Sequence, residues 1–160
     1  YTLAYDVNKN FVSLNEALKQ NLRTYLSNFR MLTDAINIKT AHIINIGIDF
    51  DIIPRPRYNS NEVILRCIER LKVLLSNDNM QINMPLNRSN LMTELDKVEG
   101  VQSVARFDIT NLYDLTQGYA GNVYDIEGAT RNGIIYPSLD PSIFEIKYPD
   151  SDIKGRVVSN

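Results

Sequence analysis

The sequence predicts an α+β domain in which a mixed sheet carries helices on one face, a two-layer sandwich followed by a long irregular C-terminal excursion. Three observations predict it. Apolar residues recur in steps of three and four in three separate segments, which is the spacing of an amphipathic helix. They alternate in steps of two over His42–Ile52 and again over Val101–Thr110, which is the spacing of a half-buried strand. Finally, "KVEGVQSVARFDIT", from Lys97 to Thr110, passes from one period to the other across a single glycine, Gly100.

The first helix is predicted from Ser13, which can cap the opening turn while Glu16 reaches back to close a capping box. Leu14, Leu18, Leu22, Tyr25, Phe29 and Leu32 then form one stripe that needs a sheet or another helix to cover it. Next, His42, Ile44, Ile46, Ile48, Phe50 and Ile52 alternate with Ile43, Asn45, Gly47, Asp49 and Asp51, giving a long strand with one apolar face. Gly47 is a candidate bulge, and Pro54 and Pro56 end the strand by removing two ladder donors.

Asn59 and Glu62 start a second helix whose inward stripe is Ile64, Cys67, Ile68, Leu71, Leu74 and Leu75. After "SNDN", Met80, Ile82, Met84 and Leu86 alternate with Gln81, Asn83 and Pro85, which reads as a strand at a sheet edge because proline cannot donate to a ladder. Ser89 caps a third helix with Leu91, Leu95 and Val98 inward. Gly100 supplies the left-handed residue past its end, a conformation glycine takes without a Cβ penalty. In the strand that follows, Val101, Ala105, Phe107 and Ile109 face one side, and Gln102, Arg106, Asp108 and Thr110 the other. From Asn111 to Pro137 the chain is rich in Gly, Asn and Tyr without sustained period, and Phe144, Ile146 and Tyr148 suggest one last strand before a polar tail.

Composition bounds the function. A chain of 160 residues is long enough for one core, and no repeat or linker divides it, so a single domain over 1–160 is expected. With 17 Lys and Arg against 19 Asp and Glu, the net charge of -2 offers no field for gathering nucleic acid or acidic lipid. Cys67 is the only cysteine, so no disulfide framework or cysteine-based zinc site is available, which fits a reducing compartment such as cytoplasm. No apolar run approaches the roughly 18 residues a membrane span needs. The start "YTLAYDVNKN" has neither an initiator Met nor a signal-peptide layout, so Tyr1 is expected to lie inside a longer protein.

Few residues suggest chemistry. Asp49 and Asp51 share a strand face at about 7 Å, within the range of acid and base pairs in glycoside hydrolysis, although two solvated acids on an exposed face are the simpler expectation. His42 reads as a histidine at a core edge rather than a catalytic one. "DSDIKGRVVSN" fails as a calcium loop because Lys154 stands where a ligand belongs and no closing Glu follows. Asn87-Arg88-Ser89 matches a glycosylation acceptor by chance, and Arg55, Arg57 and Tyr58 in "PRPRY" read as a rigid turn with solvated charges. No cofactor or metal site is expected. Tyr113, Tyr119, Tyr124 and Tyr136 fall in the segment without a core pattern, and tyrosine is enriched where subunits meet, so they are candidate self-association residues.

The order of these elements resembles the C-terminal part of the baseplate J-like family of contractile phage tails. "LRTYLSNFRMLTDAINIKTAHIINIGIDFDI" is similar to that family's helix ending in Tyr-Leu, followed by an Arg and a long strand. "INMPLNRSNLMTELDKVEGVQSV" is similar to its edge strand, Ser-capped helix and Gly-Val turn. "GIIYPSLDPSIFEIKYPDSDIKGRVV" resembles the C-terminus of the large wedge subunits that form the inner baseplate ring of big contractile-tailed phages. Together the stretches cover about three-quarters of the chain. The resemblance implies a structural virion component, assembled in host cytoplasm, that pairs with copies of itself and contacts other wedge proteins. It implies no enzyme and carries over no catalytic residue.

Overall fold

The computed structural model describes residues 1–29 and 35–158. In chain order the elements are β1 (Ala4–Tyr5), β2 (Phe11–Val12), α1 (Glu16–Ser27), β3 (His42–Pro54), α2 (Ser60–Leu74), β4 (Leu86–Asn87), α3 (Arg88–Asp96) and β5 (Val101–Leu112). They are followed by β6 (Thr130–Arg131), β7 (Ile134–Ile135), β8 (Ser142–Glu145), α4 (Pro149–Asp152) and β9 (Ile153–Val157). The fold is α+β with a mixed sheet, as the sequence predicts.

The sheet is organised around β3. On one side β5 runs antiparallel along nearly its whole length. On the other side two strands lie parallel to it in succession, β8 beside His42–Asn45 and β9 beside Ile48–Ile52. Ile44, Ile46, Ile48, Phe50 and Ile52 all point to one face and are almost fully buried. Helix α2 covers that face with Val63, Cys67 and Leu71, and α3 does so with Leu91 and Leu95. Cys67 sits in this apolar packing, and its burial pushes the thiol up to about 11. One buried cluster extends from Phe11 to Ile153.

The predicted elements need several corrections. Helix α1 is capped by Asn15, whose side chain accepts from Leu18 N at 2.8 Å, so the chain enters it two residues later than a Ser13 cap requires. Leu32, the end of the predicted α1 stripe, lies outside the described residues. Gly47 is no bulge: it pairs in register with Thr110, and the register shifts fall between Asp51 and Ile52 and between Ile53 and Pro54. The first shift skips Ala105, so Val104 turns toward the core and Ala105 is exposed, the reverse of the predicted alternation. β3 is also covered at one end on both faces, since Ile43, Asn45 and Gly47 are buried.

No strand runs from Met80 to Pro85. Asn83 holds a positive φ of 63° and exchanges hydrogen bonds with Ser142, its N donating to Ser142 O at 2.7 Å and its Oδ1 accepting from Ser142 N at 3.1 Å. Only Leu86 and Asn87 pair, with β7. Asn87, not Ser89, caps α3, and Tyr148 opens a helical turn rather than ending a strand. The polar tail contains a strand, β9, because Gly155 can lie against the Phe50 ring: a Cβ there would sit 2.5 Å from Phe50 Cζ.

Gly100 is left-handed, with φ +94°. Helix α3 ends earlier, at Asp96, and Gly100 occupies the third position of a turn closed by Val101 N donating to Val98 O at 3.1 Å. A positive φ at that position is the requirement of a type II turn. The turn is pinned from outside by Arg55, whose N donates to Gly100 O at 2.8 Å and whose Nε donates to Val101 O at 3.0 Å.

Candidate functional site

Strand register decides the surroundings of the acid pair. Asp49 lies opposite Asp108 on β5 and beside Lys154 on β9, while Asp51 lies opposite Arg106 and beside Arg156. Asp51 is only 8% exposed. Its Oδ1 accepts from Arg156 Nε at 3.1 Å, and its Oδ2 lies 3.8 Å from Arg106 Nη1. Asp108 in turn accepts from Arg106 Nε and from Arg88 Nη2, the latter at 3.2 Å. The hydrogen bond to Asp108 raises the Arg106 pKa further above its ordinary value, with smaller help from the Asp51 and Asp49 charges.

This arrangement is a chain of ion pairs on a sheet face, running from Arg156 through Asp51, Arg106 and Asp108 to Arg88. A glycoside-cleaving acid needs an apolar setting that keeps its proton, and its partner needs a free oxygen for water or sugar. Both Asp51 oxygens are instead engaged by guanidinium groups. Asp49 is half-buried and lines a cleft of about 640 Å³ that also touches Arg88, Asp108, Asp125 and Glu127. Simple solvation therefore describes neither acid. Sequence alone does not show the arginine clamp, because Arg106 and Arg156 reach Asp51 only through cross-strand register and the pattern predicts a polar tail where β9 lies.

The four tyrosines of the excursion divide into two pairs. Tyr119 is buried, packs edge-on against Tyr148 with ring centroids 5.6 Å apart, and donates its hydroxyl to Asp152 Oδ1 at 2.7 Å. Burial, followed by that bond, pushes its pKa up to about 12. Tyr124 packs edge-on against Phe144 and donates to Tyr136 O, and burial raises its pKa too. Tyr113 and Tyr136 stay on the surface, about half exposed. Asp152 also accepts from Tyr148 N at 2.9 Å, so one buried carboxylate fastens the excursion to α4. His42 is exposed at the start of β3, and Arg57 stands in a left-handed turn.

Glu145 is a buried acid, although its alternation with Phe144 and Ile146 predicts a place on the solvent side. It is 1% exposed and accepts three hydrogen bonds: from Phe11 N at 2.6 Å, Asn45 Nδ2 at 2.7 Å and Asn77 Nδ2 at 3.2 Å. Asn45 is fixed in turn by accepting from Ala120 N at 2.7 Å. One carboxylate thus joins the β1–β2 hairpin, the centre of the sheet, the Asn77–Asn79 turn and, through Asn45, the excursion. Burial raises its pKa, partly opposed by those donors. A period-two pattern cannot show this site, because β8 is buried on both faces.

The remaining feature is an apolar surface. No residue of α1 is buried. Tyr25 is 61% exposed, Phe29 in the following turn is 73% exposed, and their rings touch at 5.2 Å between centroids. Leu18 and Leu26 are exposed on the same helix. Large apolar groups concentrated on one element, rather than scattered singly, mark an interaction surface. Comparison with known protein families and with curated proteins finds no match to this chain.

Proposed function

We propose that this chain is a structural domain of a contractile-tail baseplate, the C-terminal part of an inner-ring wedge subunit that pairs with copies of itself and contacts other wedge proteins. The ring built from it rearranges when the sheath contracts. The observation that carries this reading is the apolar face of α1, where Leu18, Tyr25 and Leu26 stand exposed with Phe29 in the following turn, while none of the helix's residues joins the buried cluster. Leaving that face in water is unfavourable, and association is the ordinary remedy. The resemblance of three stretches to baseplate J-like proteins supplies the setting. The competing reading, a tail-associated hydrolase using Asp49 and Asp51, finds less support, since Arg106 and Arg156 occupy Asp51.

Two measurements test the proposal. Sedimentation of the chain from about 10 to 300 μM should show reversible self-association; a parent that remains monomeric up to roughly 100 μM, equivalent to about -5.5 kcal/mol, would sink the self-pairing. Incubation with purified peptidoglycan should release no sugar fragments. Release that disappears in Asp49→Asn would establish the hydrolase instead.

A further inference from the structure

We infer that the outer edge of β5 docks an extended, basic segment of another protein, which adds to the sheet as a further strand and sets lysine or arginine side chains against Asp125 and Glu127. This goes beyond the assembly reading above and does not depend on it, because the surface is a different one and the partner is of different chemistry.

The edge is open. The sheet runs in the order β5-β3-β8, with β9 also on β3, so β5 has a strand on one side only. Its first half is closed off, since Asp96 Oδ1 accepts from Val104 N at 3.0 Å and the register shift beside Ala105 interrupts the ladder. Its second half has neither protection. Among the described residues, no backbone hydrogen bond reaches residues 105–112 from any element but β3. In an antiparallel pair alternate residues turn their N–H and C=O away from the partner, so this stretch presents a row of unpaired donors and acceptors, a template for one more strand.

There is room beside that row. The cleft of about 640 Å³ runs along residues 108–111 and is walled on its far side by residues 124–127 of the excursion and by Ile135 of β7. Four strand residues span about 13 Å, and an added strand lies about 4.8 Å away, so a short extended segment fits where a helix would not.

Charge selects the occupant. The cleft is lined by four acids, Asp49, Asp108, Asp125 and Glu127, against two arginines. Both arginines, Arg88 and Arg106, are already paired with Asp108. Asp125 and Glu127 stand exposed on the excursion wall, and among the described residues neither has an ion-pair partner. An acidic segment would meet like charge there. A lysine or arginine can lay its stem along Ile126 and Ile135 and keep its charged head at the carboxylates.

The test uses the whole chain and fluorescein-labelled peptides of about nine residues. One alternates lysine with valine and threonine, and a second carries glutamate in place of lysine. Two further lysine peptides are N-methylated at opposite sets of alternate residues. In anisotropy titrations the lysine peptide should bind at least tenfold more tightly than the glutamate peptide, and exchange of the amide hydrogens of residues 107–111 should slow when it binds. A strand added to β5 uses the N–H groups of one of its own edges, so one N-methylated peptide should bind and the other fail. Equal binding of the two would mean attraction by charge alone and would overturn strand addition. Asp125→Asn with Glu127→Gln should weaken the lysine peptide at least threefold while the denaturation midpoint stays in place; where the pair lowers the midpoint, Glu127→Gln alone supplies the comparison. An affinity unchanged by these substitutions overturns the role of the acids. Absence of binding at about 1 mM peptide, a level corresponding to about -4.1 kcal/mol, overturns the inference altogether. So does slowing of the same amides when the chain alone is concentrated, which would assign the edge to a second copy.

Discussion

Helices α1 and α2 carry the same kind of apolar stripe, and only one of them is buried. In α2, Val63, Cys67 and Leu71 are closed against the sheet, and its exposed positions are polar or charged except for Leu65 and Val73. In α1 the leucines and aromatics recur as regularly, yet no residue is buried. Periodicity therefore specifies that a face requires cover. It does not specify whether the cover comes from the same chain. The difference separates residues that hold this domain together from residues available for joining it to another.

The sharpest way to break that comparison is to truncate one side chain from each helix. Leu71→Ala should cost about 2–5 kcal/mol, because a fully buried leucine loses its transfer energy and leaves a cavity. Tyr25→Ala in dilute protein should change stability by no more than about 0.5 kcal/mol. Denaturant titrations below the association range decide it, and similar losses in the two variants would mean that α1 belongs to the core.

The sequence was legible wherever burial is one-sided. The α2 stripe, the core face of β3 from Ile44 to Ile52 and the left-handed Gly100 are each dictated by a local period or a local steric demand, whereas the burial of Ile43, Asn45 and Gly47 on the other face of β3 is not. Legibility fails where neighbours far along the chain decide. Glu145 follows its alternation yet is buried, because Phe11, Asn45 and Asn77 arrive from other elements to satisfy it. β9 reads as tail because Lys154 and Gly155 are poor strand residues by propensity, and its place follows from the Phe50 ring and the Asp51 carboxylate on β3. Met80–Pro85 alternates without pairing, since Asn83 bonds Ser142 instead.

Gly100→Ala gives the next largest effect, about 2–4 kcal/mol. A side chain at φ +94° is strained by itself. The added Cβ would also stand 2.6 Å from Val63 Cγ2 and 2.9 Å from Tyr58 Cδ1, and Val63 belongs to the buried face of α2. An unchanged midpoint would mean that the turn between α3 and β5 is not a fixed support for that face.

Glu145 sharpens the comparison through pH. Its folded-state pKa lies above the ordinary 4.5, so the folded chain holds this proton more tightly than the unfolded one. The stability linked to it is fully present below pH 4.5 and is lost as pH rises through the raised value. Asp6, held low chiefly by accepting from Asn10 N, Glu94, held low chiefly by Lys97, and Asp114, held low chiefly by Thr116, act in the opposite sense at lower pH. Midpoints should therefore rise as pH falls from 7 toward 4.5, then decline. In Glu145→Gln the first rise should vanish. A parent profile that falls steadily from pH 7 would show that the Glu145 site does not govern this window.

The smallest effect lies within the acid pair, where burial again distinguishes neighbours of the same kind. Asp51→Asn should cost about 1 kcal/mol, since it weakens the bond from Arg156 and the ion pair with Arg106. The cost is modest because both arginines remain at least half exposed to screening water. Asp49→Asn should change stability by no more than about 0.5 kcal/mol, because its repulsion from Asp108 across the strand pair is offset by Lys154 beside it and by Arg106. Raising the salt to about 1 M, where screening acts within about 3 Å, should bring the two variants closer together. If Asp49→Asn were instead the more damaging at both salt concentrations, the cross-strand register that assigns Arg106 and Arg156 to Asp51 would be the wrong basis for reading this face.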